Sequence, residues 1–536
     1  MGLAARSKTR LESLSHPYAA MAIPTMDRPR SPSAGAIRWI GETASWLRVT
    51  TGLFQSTPYS THMSKLSNTT CFTATLFALL GASPAFADVL TVGPQGDHPE
   101  IQAAVDEALQ NPAIDTVIVR SRVASYDPFS VTGPLVIVAD IVNPGEAVVV
   151  NVPANDPPAG DLIRISNIGQ GEQVILRGIQ AFRSHHETVV LRMSSNAGNV
   201  WIEDCSLTSV GAQPPITDVF PTPSQPTVVI NGCTSVDMID CTVTAMAGLH
   251  GLLGSYWSID ATVGIDVQNS SLALWDSTVT GGRGDDAFFD HSQLPAIPYD
   301  AQPGASAIVH NGGGGVIGSI PAGTGYGSFL SGSTATGGDG GNSVFIPGFA
   351  ICAAAGAGGN GMSLSNVDAA VLNSVTAQSL SAGTGGLASS TLCPAAPDGQ
   401  PLTVSGSATH TQLQGFARSL SIRSADGNFI TREGEDVVSS FTGIGGDLAW
   451  WFLQSTAVPG ALFVQDGNGN LSVAPAALQG SVDLGGNGQT TLTATIGVDS
   501  VMCATTALVQ GLFYNAGAQQ WQLSSPSSLI LVDIGI

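Results

Sequence analysis

The chain has 536 residues, of which 11% are charged and 64 are glycine, and its formal net charge is −22. Both lysines, Lys8 and Lys65, precede Asp88; from Asp88 onward ten arginines stand against 37 acidic residues, a formal charge of −27. Affinity for phosphate rests on Lys and Arg, so this balance excludes a nucleic-acid binder and disfavours anionic membrane surfaces.

Residues 1–62 are rich in Arg, Ser and Pro and hold no steady hydrophobic period, so they read as an upstream extension without a fold. Residues 63–87 read as a secretory signal peptide. Lys65 gives the positive start, Cys71 to Leu80 the apolar stretch, and Ala85-Phe86-Ala87 the small-residue cleavage site. The apolar run is too short to span a bilayer. The natural start is therefore expected at Met63. The mature chain is expected to be secreted or held at the cell surface, with no transmembrane segment.

Downstream of the signal stand six cysteines: 205, 233, 241, 352, 393 and 503. An even number in an exported protein permits disulfides. Cys352 with Cys393 is the favoured pair, because it would close the end of a Gly-rich excursion. Cys205 and Cys241 can equally be small, stacked core residues.

The mature start predicts a strand over 89–92, then a short helix with Ile101, Val105 and Ala108–Leu109 on one face, then a strand over 116–120. Asp97, three residues before Glu100, predicts a capping box, and Pro99 suits the first turn. Such a helix would cover the open end of a stack of β-coils.

The stretch 199–280 then repeats itself. Val200 to Thr208 returns as Val236 to Thr244 and again as Leu272 to Thr280, so that Asp204, Asp240 and Asp276 are 36 residues apart. A fixed period of this size predicts one unit stacked on its copies. Apolar residues alternate at 200 and 202, slip by one at Asp204, and resume at Cys205 and Leu207. Alternation at period two is the strand signal. The slip predicts a corner, which Asp tolerates in the left-handed region better than most residues. The template extends back to Val174, Leu176 and Ile179 with Gly178 at the corner, and forward to 361–374 with Asn373 at the corner. Ser306 to Asn311 fits the first strand of a coil between.

Residues 281–361 are dense in glycine and predict long excursions on one side of the stack, with turns, close backbone approach or flexibility. From about Gln414 apolar strands alternate with turn signals at 426–428, 466–470 and 485–488, predicting a small β-sandwich over 414–536.

The run His98 to Val119 resembles the opening of right-handed parallel β-helix proteins of the pectate-lyase-like superfamily, which begin with a similar helix followed by an Asp-Thr-Val strand. The resemblance implies an all-β chain: a right-handed parallel β-helix over 88–413, with the Gly-rich insertions at 281–361. The region from Gly446 to the end resembles a C-terminal β-module of large secreted bacterial proteins, which implies display, attachment or end-capping.

Candidate chemistry concentrates at Arg283, Asp285, Asp286 and His291. Paired carboxylates beside a histidine suit general acid–base work, and carboxylates with carbonyls can hold Ca²⁺. Gly284-Asp285-Asp286 is similar to the Gly-Asp-Asp element of related pectin hydrolases, and the lyases of this fold hold calcium on acidic residues with an Arg or Lys as base. The companion Asn-Thr-Asp, Gly-His-Gly and Arg-Ile-Lys motifs are absent, and the bland reading is a solvated acidic loop. The aspartate ladder reads as a structural ladder or as a calcium-binding edge. Arg177, Arg183 and Arg192 are further base candidates, and His185–His186 reads as a surface turn. No cofactor is required. The expected function is that of an exported bacterial protein at the cell surface or in the matrix, structural or glycan-binding. The alternative is a lyase or hydrolase of uronate polysaccharide. The expected partner is a polysaccharide or a cell-surface component.

Overall fold

The computed structural model describes residues 88–533, apart from 142, 144, 153–159, 184–186, 211–223, 253–255, 291–296, 313–326, 348–350, 373–378, 414, 456, 465–468, 474–477 and 498–503. All belong to one compact unit, Ser67–Ile536. The expected extension and signal peptide, His185–His186, His291, Asn373 and Cys503 lie outside the described residues.

Among the described residues, three parallel sheets of ten, seven and eight strands run side by side. One coil shows how they connect. Asn199–Glu203 lies in the ten-stranded sheet, Ser206–Ser209 in the seven-stranded sheet and Val228–Asn231 in the eight-stranded sheet; the chain then returns to the first sheet as Ser235–Ile239. Each coil lands in register on the last: Val200 on Val236, and Val236 on Leu272. This is a parallel β-helix. Its interior is filled by the inward half of each alternation, with Val200, Ile202, Cys205 and Leu207 all buried.

The corner expected from the slipped period is present. Asp204, Asp240 and Asp276 hold φ of 57°, 51° and 48°, and Gly178 and Gly332 extend the column at 77° and 64°. A second column of left-handed corners follows the eight-stranded sheet at Asn167, Ser195, Gly232, Asn269 and Asn366.

The helix spans Ile101–Gln110 and buries Ile101, Ala104, Val105 and Ala108 in the β-helix core, while Leu109 is 36% exposed. The capping box does not form. Asp97 instead accepts from the backbone N–H and hydroxyl of Thr91, and Glu100, at the N-cap without a side-chain cap, pairs with Arg122 at 2.8 Å.

Near the C-terminus, a three-stranded and a five-stranded sheet share a core of Ile422, Phe441, Trp451, Phe513 and Leu529. This is the expected β-sandwich. The turns at 426–428 and 485–488, expected as hairpins, each join strands of different sheets and so are not hairpins, whereas Ala457–Val464 and Gly469–Val473 do pair as one.

The sandwich lies along a flank of the β-helix, where the sequence suggested a position at its end. It covers the outer face of the ten-stranded sheet: Ile175, Trp201, Ile239, Trp275 and Phe329 pack against Phe452, Leu471 and Leu508. That explains why Asn199–Glu203 and Ser235–Ile239 are buried at every position. A sheet covered on both faces loses the polar half of its alternation.

Candidate functional site

The Gly-rich excursions are built structures. Segments 281–287, 337–343 and 383–387 leave the seven-stranded sheet, and segments 301–307, 354–361 and 396–400 return to the eight-stranded sheet. Between them the backbone bonds recur every third residue. Gly281, Gly284 and Ala287 donate to Thr336, Asp339 and Asn342, and Gly338 and Gly341 donate across to Ala305 and Gln302. Gly356 and Gly359 then donate to Gly341 and Gly338. A threefold repeat with bonds only between segments is the signature of polyproline II backbone. The segments form a glycine sandwich of two rows.

Here glycine serves close approach rather than a turn. A Cβ on Gly338 would lie 1.9 Å from the Gly282 carbonyl oxygen, and one on Gly341 only 1.8 Å from that of Asp285. None of these glycines is among the described residues of positive φ.

The sandwich determines where the acidic cluster sits. With three residues per turn, some N–H groups point away from both neighbouring segments and need another acceptor. Asp285 Oδ2 takes the His250 N–H at 3.0 Å, and Asp286 Oδ1 takes the Asn342 N–H at 2.8 Å. Other carboxylates along the sandwich act alike: Asp339 accepts from Thr384, Asp398 from Gly385 and Asp300 from Ala354. Arg283 pairs with Asp286 at 2.9 Å, with both side chains about half exposed at 56% and 48%.

Of the four expected site residues, Arg283 and Asp286 therefore meet, Asp285 turns toward His250, and His291 lies outside the described residues. His250 stacks on Phe288 at 4.4 Å, and Phe288 on Tyr299 at 5.0 Å, in the antiparallel hairpins at the far end of the sandwich. Cys352 and Cys393 are joined there by a disulfide, as expected.

The aspartate ladder lies against the C-terminal sandwich. Asp204 accepts from Arg177 Nε at 3.1 Å and from Arg423 of the C-terminal sandwich. Desolvation by the protein packed around it, reinforced by the negative charge of Asp276, Asp204 and Glu203, pushes Asp240 up to about 8 although the residue is exposed at the surface, and burial pushes Asp276 to about 6. Ca²⁺ needs ionised, accessible carboxylates. One member of this ladder, Asp204, is engaged by two arginines, whose positive charge opposes a cation at that end of the ladder. Among the described residues, no cluster of three or more His, Cys, Asp or Glu side chains could hold a metal ion.

The other base candidates are also engaged. Arg177 is sealed under the C-terminal sandwich. Arg183 is buried and donates to the Gln225 carbonyl, and burial lowers it to about 10. Arg192 pairs with Asp161 at 2.7 Å. Cys205 and Cys241 are buried free thiols that follow the corner, and Ser277 and Ser333 continue their column.

The sequence carried a signal for the sandwich: glycines three apart at 281/284, 338/341, 356/359 and 383/386. No signal of comparable clarity marked the surface that the C-terminal sandwich covers.

No family model matches the chain, and no curated protein matches it. Among solved structures it is similar to full-length tailspike protein 2 from Escherichia coli O157:H7 bacteriophage CAB120, at 11% identity and a TM-score of 0.14. That alignment covers 84% of this chain and 65% of the tailspike, so the chain spans less than two thirds of that protein's length. A likeness at this level adds nothing to the functional argument. Among the described residues no helix is long and apolar enough to cross a membrane.

Proposed function

We propose that this is an exported bacterial protein of the pectate-lyase-like β-helix class that acts at the cell surface or in the matrix as a structural, glycan-binding scaffold. The observation that carries this reading is the use of Asp285 and Asp286 as acceptors for backbone N–H groups of neighbouring segments. Each of these carboxylates belongs to a series that ties the glycine sandwich together, with Asp339, Asp398 and Asp300 in the same part. The C-terminal β-module, residues 414–536, then serves to cover and stiffen the rod along its flank.

Binding is tested by co-sedimentation of the mature protein with insoluble polysaccharides, neutral and uronate, with and without Ca²⁺. Retention on at least one polymer supports the scaffold reading; no retention on any of them overturns its glycan-binding part. The alternative of a uronate lyase or hydrolase predicts new chain ends in the same tubes.

A further inference from the structure

The C-terminal sandwich covers the ten-stranded sheet, but the outer face of the seven-stranded sheet carries a different surface. Residues two apart on each strand point outward, and the coils are in register. Thr242, Thr278 and Thr334 form one column, and Thr244, Thr280 and Thr336 form the next. One coil earlier, Ser206 and Thr208 continue both columns; Thr208 then registers on Phe182, which is 37% exposed, and Ser206 on exposed Gln180. No charged residue stands in either column, in a chain whose formal charge from Asp88 onward is −27.

Resting on the glycan-binding reading, we propose that this face is the binding site and that its ligand is a neutral, hydroxyl-rich polysaccharide. Each threonine hydroxyl both donates and accepts, so it can meet a sugar hydroxyl in either sense. Thr334 Oγ1 donates to Thr278 Oγ1 at a long 3.4 Å, and Thr242, Thr244, Thr280 and Thr336 make no side-chain hydrogen bond among the described residues. The columns repeat at about 4.8 Å from coil to coil, so a polymer laid across the strands meets equivalent groups again and again. The γ-methyl groups and the Phe182 ring add apolar surface for the C–H face of a sugar. Charge decides between polymer classes. A uronate chain would bring carboxylates to a face without a cation on a strongly acidic protein.

The test is co-sedimentation with cellulose, mannan and calcium-free pectate, comparing the wild type with Thr242→Asp/Thr278→Asp, Phe182→Ala and Thr411→Asp. Thr411 lies on the last strand of the ten-stranded sheet and is exposed, so it controls for added charge. Melting curves establish that each variant is folded, and Phe182→Ala serves should the double variant not fold. The expected result is retention on a neutral polymer, weakened about tenfold or more by the double variant and by Phe182→Ala, and unchanged in Thr411→Asp. Undiminished neutral binding in folded face variants overturns the site while leaving the glycan reading in place. Retention on pectate alone overturns the ligand class. Failure of the wild type to bind any of the three overturns the proposal and removes the support beneath it.

Discussion

Arg177 and Glu203 occupy adjacent coils of the β-helix, with Nη2 3.2 Å from Oε1 and both side chains sealed from solvent. The pair also joins the two parts of the molecule. Arg177 donates to the carbonyls of Ser528 and Ile422, while Glu203 accepts from Ser527 Oγ and the Ser528 N–H at 2.7 and 2.9 Å. Burial alone would lower the guanidinium, yet Glu203 and Asp204 hold it above its ordinary range.

Removing one member of a buried pair costs about 3–5 kcal/mol where the other charge is left alone. Glu203→Gln leaves Arg177 with Asp204 at 3.1 Å, so it should lower stability by less, about 1–3 kcal/mol, read as a fall in melting temperature. A second effect should accompany it: faster proteolysis in the C-terminal sandwich. A variant with wild-type melting and protease resistance would show that the pair contributes no cohesion.

The aspartate ladder sets a pH dependence. Asp240 is raised to about 8 and Asp276 to about 6, both above the ordinary 3.8. A carboxyl that holds its proton more tightly in the folded state stabilises the fold fully below its unfolded pKa and loses that contribution as pH rises through the folded value. From these two groups, stability should fall between about pH 4 and pH 8. Asp240→Asn keeps a residue that tolerates the left-handed corner and cannot ionise. It should flatten the slope in denaturant titrations across that window and raise stability at pH 8. An unchanged slope would contradict the assignment.

The glycine sandwich predicts a steep penalty for a single methyl. Gly341→Ala and Gly338→Ala must push apart backbones now in direct contact, at about 1–3 kcal/mol each. Hydrogen exchange should show lost protection in 281–287 and 337–343, with the strands of Asn199–Glu203 and Ser235–Ile239 unaffected. Equal protection in variant and wild type would mean that these segments are not packed against one another.

The Cys352–Cys393 bond closes a span of 41 residues at the end of the sandwich. Cys352→Ala/Cys393→Ala should cost about 2–4 kcal/mol of local stability. Limited proteolysis should then cut first within 344–353 or 387–393, beyond the glycine sandwich, while the β-helix strands survive. Cleavage that begins in the β-helix would refute a local role.

Much of this architecture was legible from Asp204, Asp240 and Asp276. A one-residue slip at a fixed spacing is a local backbone event, and local events leave local marks. The helix Ile101–Gln110 and the Cys352–Cys393 pair were legible for the same kind of reason. The glycine sandwich was harder to read, because flexibility and close packing both call for glycine. Only the spacing of three separates them. The covered flank was harder still. Trp201 and Trp275 fall at outward positions of the alternation, but a tryptophan in the sequence does not say which distant strands will bury it. The acidic cluster drew a chemical reading because Arg283, Asp285 and Asp286 are close in sequence; Arg283 and Asp286 do pair, but the N–H groups that the two carboxylates accept, those of His250 and Asn342, are 35 and 56 residues away.

The most direct test of the scaffold account is an assay for new chain ends after incubation of the mature protein with soluble uronate and neutral polysaccharides, with and without Ca²⁺. The account predicts no reducing or unsaturated ends above the protein-free control for any polymer. Ends that appear with the wild type and vanish with Asp285→Ala or Asp286→Ala would contradict it.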